Sequence, residues 1–312
     1  MRTDLAIETV RARPQPPGPD SGVEVDEQQR DGVTCTRVRV TSEAGERLIG
    51  KPRGAYITLD APGLRHRDTD VQEAVTRQLA SELCRVLQLG EASSVFVVGL
   101  GNWNATPDAL GPKVVAELLV TRHLEQHVPQ NLAGKMRPMA ALAPGVLGLT
   151  GIETGEIVRG IVDRISPDVV IAVDALASHS IERILRTVQL GDTGIHPGSG
   201  VGNHRTGLDR ETLGVPVVAV GVPTVVHAAT IAGDTLALLA RRFAADPGYR
   251  GLAALAAEDR RRLISEVLAP AVGDLMVTPK EIDIQIEDMA RIIAAAINAA
   301  VHPQIAEQPL LL

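Results

Sequence analysis

Short apolar runs alternate with segments of helical spacing along this chain, and two of the runs lead to an aspartate. Residues 95–100 (VFVVGL) lead through a glycine-containing loop to Asp108, and residues 169–173 (VVIAV) lead directly to Asp174. A short run that is apolar throughout is typical of a strand buried on both faces, as in parallel sheets covered by helices. The alternation therefore predicts an α/β fold, a three-layer α/β/α sandwich around a mostly parallel central sheet.

The remaining segments fit the same pattern. Strands over 33–41 and 55–60 are expected to form a hairpin-like addition at one edge of the sheet. Helical spacing and helix-start signals predict the helices. The further predicted strands are 187–190 and 215–220, and the predicted helices are 70–89, about 107–126, 156–165, 281–301 and one beginning at Pro223 and Thr224.

The N-terminal part differs in composition from the rest. Four prolines lie between positions 14 and 19, with acidic residues after them, and this composition is typical of an extended connector. The sequence thus predicts a separate N-terminal region with a proline-rich connector over 1–31 and a single α/β domain over 32–312.

The overall composition excludes several classes of protein. A formal net charge of −7 argues against a general nucleic-acid binder. Cys35 and Cys84 form no CxxC pair, so neither a disulfide scaffold nor a cysteine zinc site is expected. Because no signal sequence or long apolar window is visible, we expect a soluble intracellular protein with no membrane contact.

The two aspartates are the candidate chemical groups. Open α/β sheets build their sites at the carboxyl ends of strands. Burial favours the neutral form of Asp174, whereas a helix N-terminus favours the ionised form of Asp108. Two carboxyl groups that differ in this way can act as acid and base on water, so a hydrolase is predicted.

A simpler interpretation exists for the first aspartate. Thr106, Pro107 and Asp108 have the residue types of an N-cap, a first helical position and a first turn. In that interpretation Asp108 only stabilises a helix, and the chain is a non-catalytic ligand-binding α/β protein.

Another tripeptide, Asp192-Thr193-Gly194, resembles the active triplet of pepsin-like proteases. Those enzymes are all-β and need two such loops, whereas this chain carries one copy within an α/β pattern. We therefore do not assign catalysis to Asp192.

Several long blocks resemble the germination protease family of endospore formers. The likeness covers nearly the whole chain outside the proline-rich stretch. The blocks that carry it are residues 2–8 (RTDLAIE), 99–112 (GLGNWNATPDALGP), 174–177 (DALA), 192–203 (DTGIHPGSGVGN), 221–226 (GVPTVV) and 275–283 (LMVTPKEID).

This resemblance implies an atypical aspartic endopeptidase that degrades small acid-soluble spore proteins during germination. The two catalytic aspartates of the family match Asp108 and Asp174. The implied fold is similar to that of the hydrogenase maturation endopeptidases, and the implied assembly is a homotetramer in the forespore or spore-core cytoplasm. Those maturation enzymes bind a metal through acids, whereas the germination proteases are metal-independent, so no cofactor is expected. A metal-dependent maturation-type peptidase is the alternative.

The family is made as a zymogen that trims its own N-terminus. Its cleavage sites resemble an acid, a large aliphatic residue, Ala and a further acid, which matches residues 4–8 (DLAIE) and implies a cut between Asp4 and Leu5. Family members usually carry a longer leader than the four residues before this bond, and an acid is expected where His227 stands. The residues we expect to line a substrate groove are Asn102, His196 and Thr224.

Overall fold

A computed structural model describes residues 5–11, 17–124, 135–196, 206–242 and 275–306, and seven positions between 259 and 270. Its described strands form a single nine-stranded sheet, in the order β1-β2-β3-β7-β8-β6-β4-β5, with β9 paired to β8. The strands are β1 Val23–Arg30, β2 Val33–Val40, β3 Gly54–Asp60, β4 Val95–Gly99, β5 Met139–Leu142, β6 Val169–Ser178, β7 Thr187–Gly191, β8 Val217–His227 and β9 Met276–Val277.

Helices connect these strands and cover the sheet. None of the described helices is both long and apolar enough to cross a bilayer. The helices are α1 Ala6–Arg11, α2 Glu43–Ile49, α3 Thr69–Leu87, α4 Leu110–Ala116, α5 Leu147–Thr150, α6 Thr154–Ile165, α7 Arg210–Leu213, α8 Ala228–Arg242, α9 Ile282–Val301 and α10 Pro303–Ala306.

The predicted α/β fold is confirmed, and the sheet has two halves. Strands β8, β6, β4 and β5 are parallel, as expected for most of the sheet. The strands from β1 through β3 and β7 to β8 pair antiparallel. For β1 and β2 the short connection explains the antiparallel pairing: they are joined by Asp31 and Gly32, which both have positive φ, and such a two-residue turn can join only antiparallel strands.

Helices lie on both faces of the parallel half. Along β6, Ile171 and Val173 belong to the apolar cluster that contains residues of α3, α4 and α9. Val170 precedes these residues and Ala172 lies between them. Both belong to a second apolar cluster, which contains residues of α6. Because successive side chains of a strand point to opposite faces, the sheet is the middle of three layers.

The N-terminal part contributes to the folded structure. Residues 23–30, which we predicted to be part of a connector, form β1 and pair with β2 along their whole length. Only Val23 of this strand is buried. The polar composition that suggested a connector is that of a charged edge strand, which discourages pairing with other chains. Helix α1 also packs, through Ala6 and Val10, in a cluster with residues of β1 and β2.

Two predicted element ends near the aspartates are wrong. The predicted helix from Pro107 is a single 3-10 turn, Thr106–Asp108, followed by the short α4; its predicted last residues, 125 and 126, lie outside the described residues. Strand β8 continues to His227, so the helix predicted to begin at Pro223 and Thr224 begins at Ala228. Pairing with β6 continues past Pro223 through a bulge, and this ladder keeps the segment extended.

Candidate active site

Asp174 lies inside β6 and is only 7% exposed. We predicted it at the end of the strand, but β6 continues to Ser178 because β8 pairs with it that far. The Asp174 Oδ1 accepts the N–H of Ala175 at 2.9 Å. The carboxyl group is therefore largely removed from bulk water.

Three strands place Asp174, Gly221 and Gln189 in one row across the sheet. Gly221 of β8 is the register partner of Asp174 on one side and of Gln189 of β7 on the other. Since neighbouring strands lie about 4.8 Å apart, the two flanking backbones are roughly 10 Å apart. A Cβ on Gly221 would lie 2.5 Å from the Leu176 Cδ1. Glycine therefore lets the Leu176 side chain lie over the row.

Asp108 ends the 3-10 turn and is half-buried. The N–H of Asn102 donates to its Oδ2 at 2.8 Å and lies 3.1 Å from its main-chain oxygen. Gly101 has a φ of 115°, and a Cβ there would lie 1.9 Å from that oxygen, so only glycine lets the loop fold back this closely. Thr106 was predicted as the N-cap of one long helix, but Ala105 is the N-cap of the 3-10 turn Thr106–Asp108, and Ala109 is the N-cap of the separate, short α4.

The two aspartates follow neighbouring parallel strands. Gly99 of β4 pairs with Val173 of β6, and the N–H of Leu100 donates to the Val173 oxygen at 2.8 Å. The loop thus leaves β4 directly beside Asp174, and the turn that ends at Asp108 contacts both β6 and β8. Both carboxyl groups therefore lie around the carboxyl end of β4, where open α/β sheets bind ligands. Such a pair can supply a base for water and an acid for a carbonyl oxygen.

The predicted cleavage site approaches the same face of the sheet. Asp4 lies outside the described residues, but Leu5 is fully buried and packs with Leu176, which is two residues beyond Asp174 on the same face. The N–H of Ala6 donates to the Gln189 Oε1 at 2.7 Å, at the far end of the row. The chain just after the predicted cut is therefore held beside Asp174.

The three predicted groove residues have different surroundings. Asn102 contacts Asp108 as described above, and its Oδ1 accepts the N–H of Asn104 at 3.0 Å. His196 is exposed and its ring lies against Gly207. Thr224 is the extra residue of the bulge between β6 and β8, and its buried Oγ1 has no hydrogen-bond partner in the part of the chain that the structure describes. The assignment of these three to a groove stays a prediction.

The Asp192-Thr193-Gly194 triplet lies at the end of β7, in the antiparallel half. The Asp192 Oδ1 accepts the N–H of Ala55 at 2.7 Å, and the Thr193 hydroxyl donates to the Tyr56 hydroxyl at 3.1 Å. Burial raises the pKa of the Tyr56 hydroxyl to about 12. These contacts tie the turn to β3, as expected for a structural turn.

Trp103, in the loop that carries Asp108, stays 56% exposed. The Lys113 Nζ of α4 lies 5.5 Å from the centre of its ring, within the range of a cation–π interaction. The two residues border a cleft of about 270 Å³ that reaches Glu287 of α9, whose Oε1 lies 3.2 Å from the Lys113 Nζ. Trp103 therefore contributes to holding the loop against α4.

Two site residues were not predicted from the sequence. Gly221 lies in the block GVPTVV, where the glycine alone gave no sign that it would pair with Asp174. Gln189 is polar within an otherwise apolar strand, which is a signal that could have identified it. Among the residues that the structure describes, no three His, Cys, Asp or Glu side chains are grouped so as to hold a metal ion.

Comparison with known proteins identifies the family. The germination protease family model matches residues 4–247 and 247–310. The germination protease of Caldanaerobacter subterraneus subsp. tengcongensis is 47% identical over 99% of this chain and 97% of its own length. Those of Clostridium acetobutylicum and Bacillus mycoides are 46% and 43% identical, each over 98% of this chain and over 96% and 94% of their own lengths.

Among solved structures, a NiFe hydrogenase maturation protease, HycI from Thermococcus kodakarensis KOD1, matches with a TM-score of 0.34 and 17% identity. The match covers 67% of this chain and 92% of the HycI chain. The sequence matches extend over nearly the full length of both this chain and its relatives. The chain therefore belongs to the germination protease family and is a peptidase of spore germination.

Proposed function

We propose that the chain is an aspartic-type endopeptidase in which Asp108 and Asp174 together activate a water molecule. The observation that carries this proposal is the position of both carboxyl groups around the carboxyl end of β4, one buried in the neighbouring strand and one on the loop. One carboxylate takes a proton from water as the oxygen attacks the peptide carbonyl, and the other acid protonates the carbonyl oxygen. Collapse of the tetrahedral intermediate then releases the amine with a proton, and no acyl-enzyme forms.

The proposed substrates are the small acid-soluble spore proteins, cut between an acid and a large aliphatic residue that Ala follows. We also propose that the chain is a zymogen that cuts its own Asp4–Leu5 bond. The burial of Leu5 against Leu176, close to Asp174, supports this. Assembly as a homotetramer in the spore core, and activity without a cofactor, complete the proposal.

The test is cleavage of a peptide that contains Glu-Ile-Ala-x-Glu by the purified protein. Asp108→Asn and Asp174→Asn should each lower the rate by at least about a thousandfold, the upper range for loss of a general acid or base. The fold should stay intact, as judged by the thermal unfolding midpoint. Mass spectrometry should find a new N-terminus at Leu5 in the wild-type chain alone.

Three outcomes would contradict the proposal. Full activity in either variant would exclude the pair. Activity that chelators abolish and one divalent metal restores would favour a metal-dependent maturation-type peptidase. No cleavage of the peptide by protein trimmed to Leu5 would favour a non-catalytic binding protein.

A further inference from the structure

The first described residues of the chain pack against the central sheet and are largely buried. We call residues Leu5–Arg11 the N-terminal segment. Leu5 and Ile7 form an apolar cluster with Leu176, against which Ile195 packs. Leu5 has no exposed surface and Ile7 has 2%. The segment thus occupies a formed pocket rather than lying along the surface.

A second pocket holds the carboxylate of Glu8. The Ser178 hydroxyl donates to the Glu8 Oε1 at 3.0 Å, and the N–H of His179 donates to the Oε2 at 3.1 Å. The Arg183 Nε lies 3.5 Å from the Oε1. We call these three groups the Arg183 pocket. They lie at the end of β6 and in the 3-10 turn Ile181–Arg183 that follows it.

The Arg183 pocket is built for an anion. The side chains of Arg183 and Glu8 are 10% and 9% exposed, so the ion pair is largely removed from water. Burial lowers the pKa of Arg183, and the negative charge of Glu8 opposes that effect. A buried guanidinium without an acid beside it is costly, so the pocket favours a carboxylate occupant.

The apolar cluster, the Arg183 pocket and Asp174 are set at fixed places along β6. Leu176 and Ser178 are the second and fourth residues after Asp174 in this strand. The N–H of Ala6 bonds to Gln189, which shares a row with Asp174 through Gly221. A peptide that binds in the same way as Leu5–Glu8 therefore has the peptide bond before its aliphatic residue directed toward Asp174.

We propose that the N-terminal segment occupies the site that binds the substrate chain on the C-terminal side of the cut. A protein segment with a large aliphatic residue, Ala, and an acid three residues after the aliphatic one binds in its place, with Arg183 selecting the acid. The chain's own segment thus competes with substrate. This inference rests on the proposed function, because it assigns specificity to that same site.

The test uses a labelled peptide with the sequence of residues 5–11 (LAIETVR), which has no bond to cut. Its binding to the full-length protein is measured by fluorescence anisotropy for two variants that break the same ion pair. Glu8→Gln weakens only the chain's own segment, so the peptide should bind about tenfold tighter or more. Arg183→Gln removes the selecting charge from the peptide and from the chain's own segment alike, so the peptide should bind no tighter than it binds to the wild type.

The tighter binding expected in Glu8→Gln alone separates recognition from a structural role, because release of the segment without any recognition by Arg183 would tighten peptide binding in both variants. Arg159→Gln is the matched control, because Arg159 is exposed on α6. The labelled peptide should bind to this variant as tightly as to the wild type. A peptide with Gln in place of Glu should also bind Glu8→Gln protein about tenfold more weakly. Equal shifts in the two variants, or equal binding of the two peptides, would overturn the inference.

A measurement without variants removes dependence on their folding. When it is added to wild-type protein, the peptide LAIETVR should inhibit cleavage of the Glu-Ile-Ala-x-Glu substrate competitively, raising KM without changing kcat. The same peptide with Gln in place of Glu should inhibit less. Inhibition through kcat, or none by either peptide, would overturn the inference. If the peptide binds as expected but Asp174→Asn cleaves normally, the proposed function fails and the pocket stands. If Asp174→Asn is inactive but no peptide binds, only the pocket fails.

Discussion

Two aspartates belong to the same stretch of chain, one directly before β6 and one within it, and their surroundings differ. Asp168 directly precedes β6 and is exposed, and its Oδ2 accepts both the N–H and the hydroxyl of Ser94, at 2.6 and 2.8 Å. Asp174 lies within β6, is buried, and has glycine as its partner on β8. The first carboxylate is held by hydrogen bonds that join the starts of β4 and β6. An acid next to an apolar run is therefore not by itself a sign of function. The groups that surround its carboxylate in the fold distinguish a structural acid from a candidate site residue.

Exchange of each aspartate for asparagine should produce the largest contrast. Asp174→Asn is expected to lower kcat for peptide cleavage by at least about a thousandfold, because the amide can neither take nor give the proton. Asp168→Asn should leave kcat unchanged within about twofold, because Asp168 lies at the start of β6, away from the carboxyl ends of the strands where such sites are built. Steady-state kinetics and the unfolding midpoint check both. Equal losses of activity would remove the distinction between the two positions.

The glycine beside Asp174 offers a test of intermediate size. Gly221→Ala places a Cβ 2.5 Å from Leu176 and should cost about 1–3 kcal/mol of unfolding free energy through overpacking, with reduced kcat/KM. Gly191→Ala on the neighbouring strand is the matched control, because its Cβ would meet the Tyr56 ring at an ordinary 3.5 Å. It should change the free energy by no more than about 0.5 kcal/mol. Urea unfolding that gives the same value for both would show that the row is not tightly packed.

The smallest effect is expected at Asp168 and depends on pH. Hydrogen bonds from the N–H and the hydroxyl of Ser94 lower the pKa of Asp168 below its ordinary value of 3.8. A lowered folded-state pKa contributes stability above the ordinary pKa, and this is lost as the pH falls through the folded-state pKa. Ser94→Ala removes one of the two bonds, so stability should fall less steeply on acidification.

Because Asp168 is exposed, this difference should be well under about 1 kcal/mol. It is measured as the change in unfolding free energy between pH 7 and pH 3. Ser93→Ala is the control, since the Ser93 Oγ accepts the N–H of Gly90 and does not contact Asp168. A pH dependence of Ser94→Ala that matches both the control and the wild type would contradict this assignment.

The sequence predicted the parallel half of the molecule better than its other parts. The runs at 95–100 and 169–173 are apolar because both faces are covered, so they could be recognised locally. The end of β6 could not be recognised locally, because an aspartate such as Asp174 disfavours a strand. The strand continues to Ser178 only because β8 pairs with it that far. Strand β1 was missed for the opposite reason, because an edge strand needs no apolar pattern.

The site was predicted in part, and the missing part is non-local. Asp108 and Asp174 were identified through their strands and through family resemblance. The contacts of Gln189 and Ser178 with the N-terminal segment join residues 183 and 170 positions apart in the chain. No periodicity or spacing connects such distant positions. The block of residues 4–8 marked one side of these contacts, but the other side required the fold.

That long separation also orders events during synthesis. The N-terminal segment leaves the ribosome before the groups that hold Ala6 and Glu8, which follow 183 and 170 residues later. At a translation rate of about 5–20 residues per second, the segment waits roughly 10–35 s for its pocket to be made. Docking of Leu5 beside Asp174 therefore reports that β6, β7 and β8 are already assembled. The proposed self-cleavage before Leu5 would therefore follow the assembly of these strands.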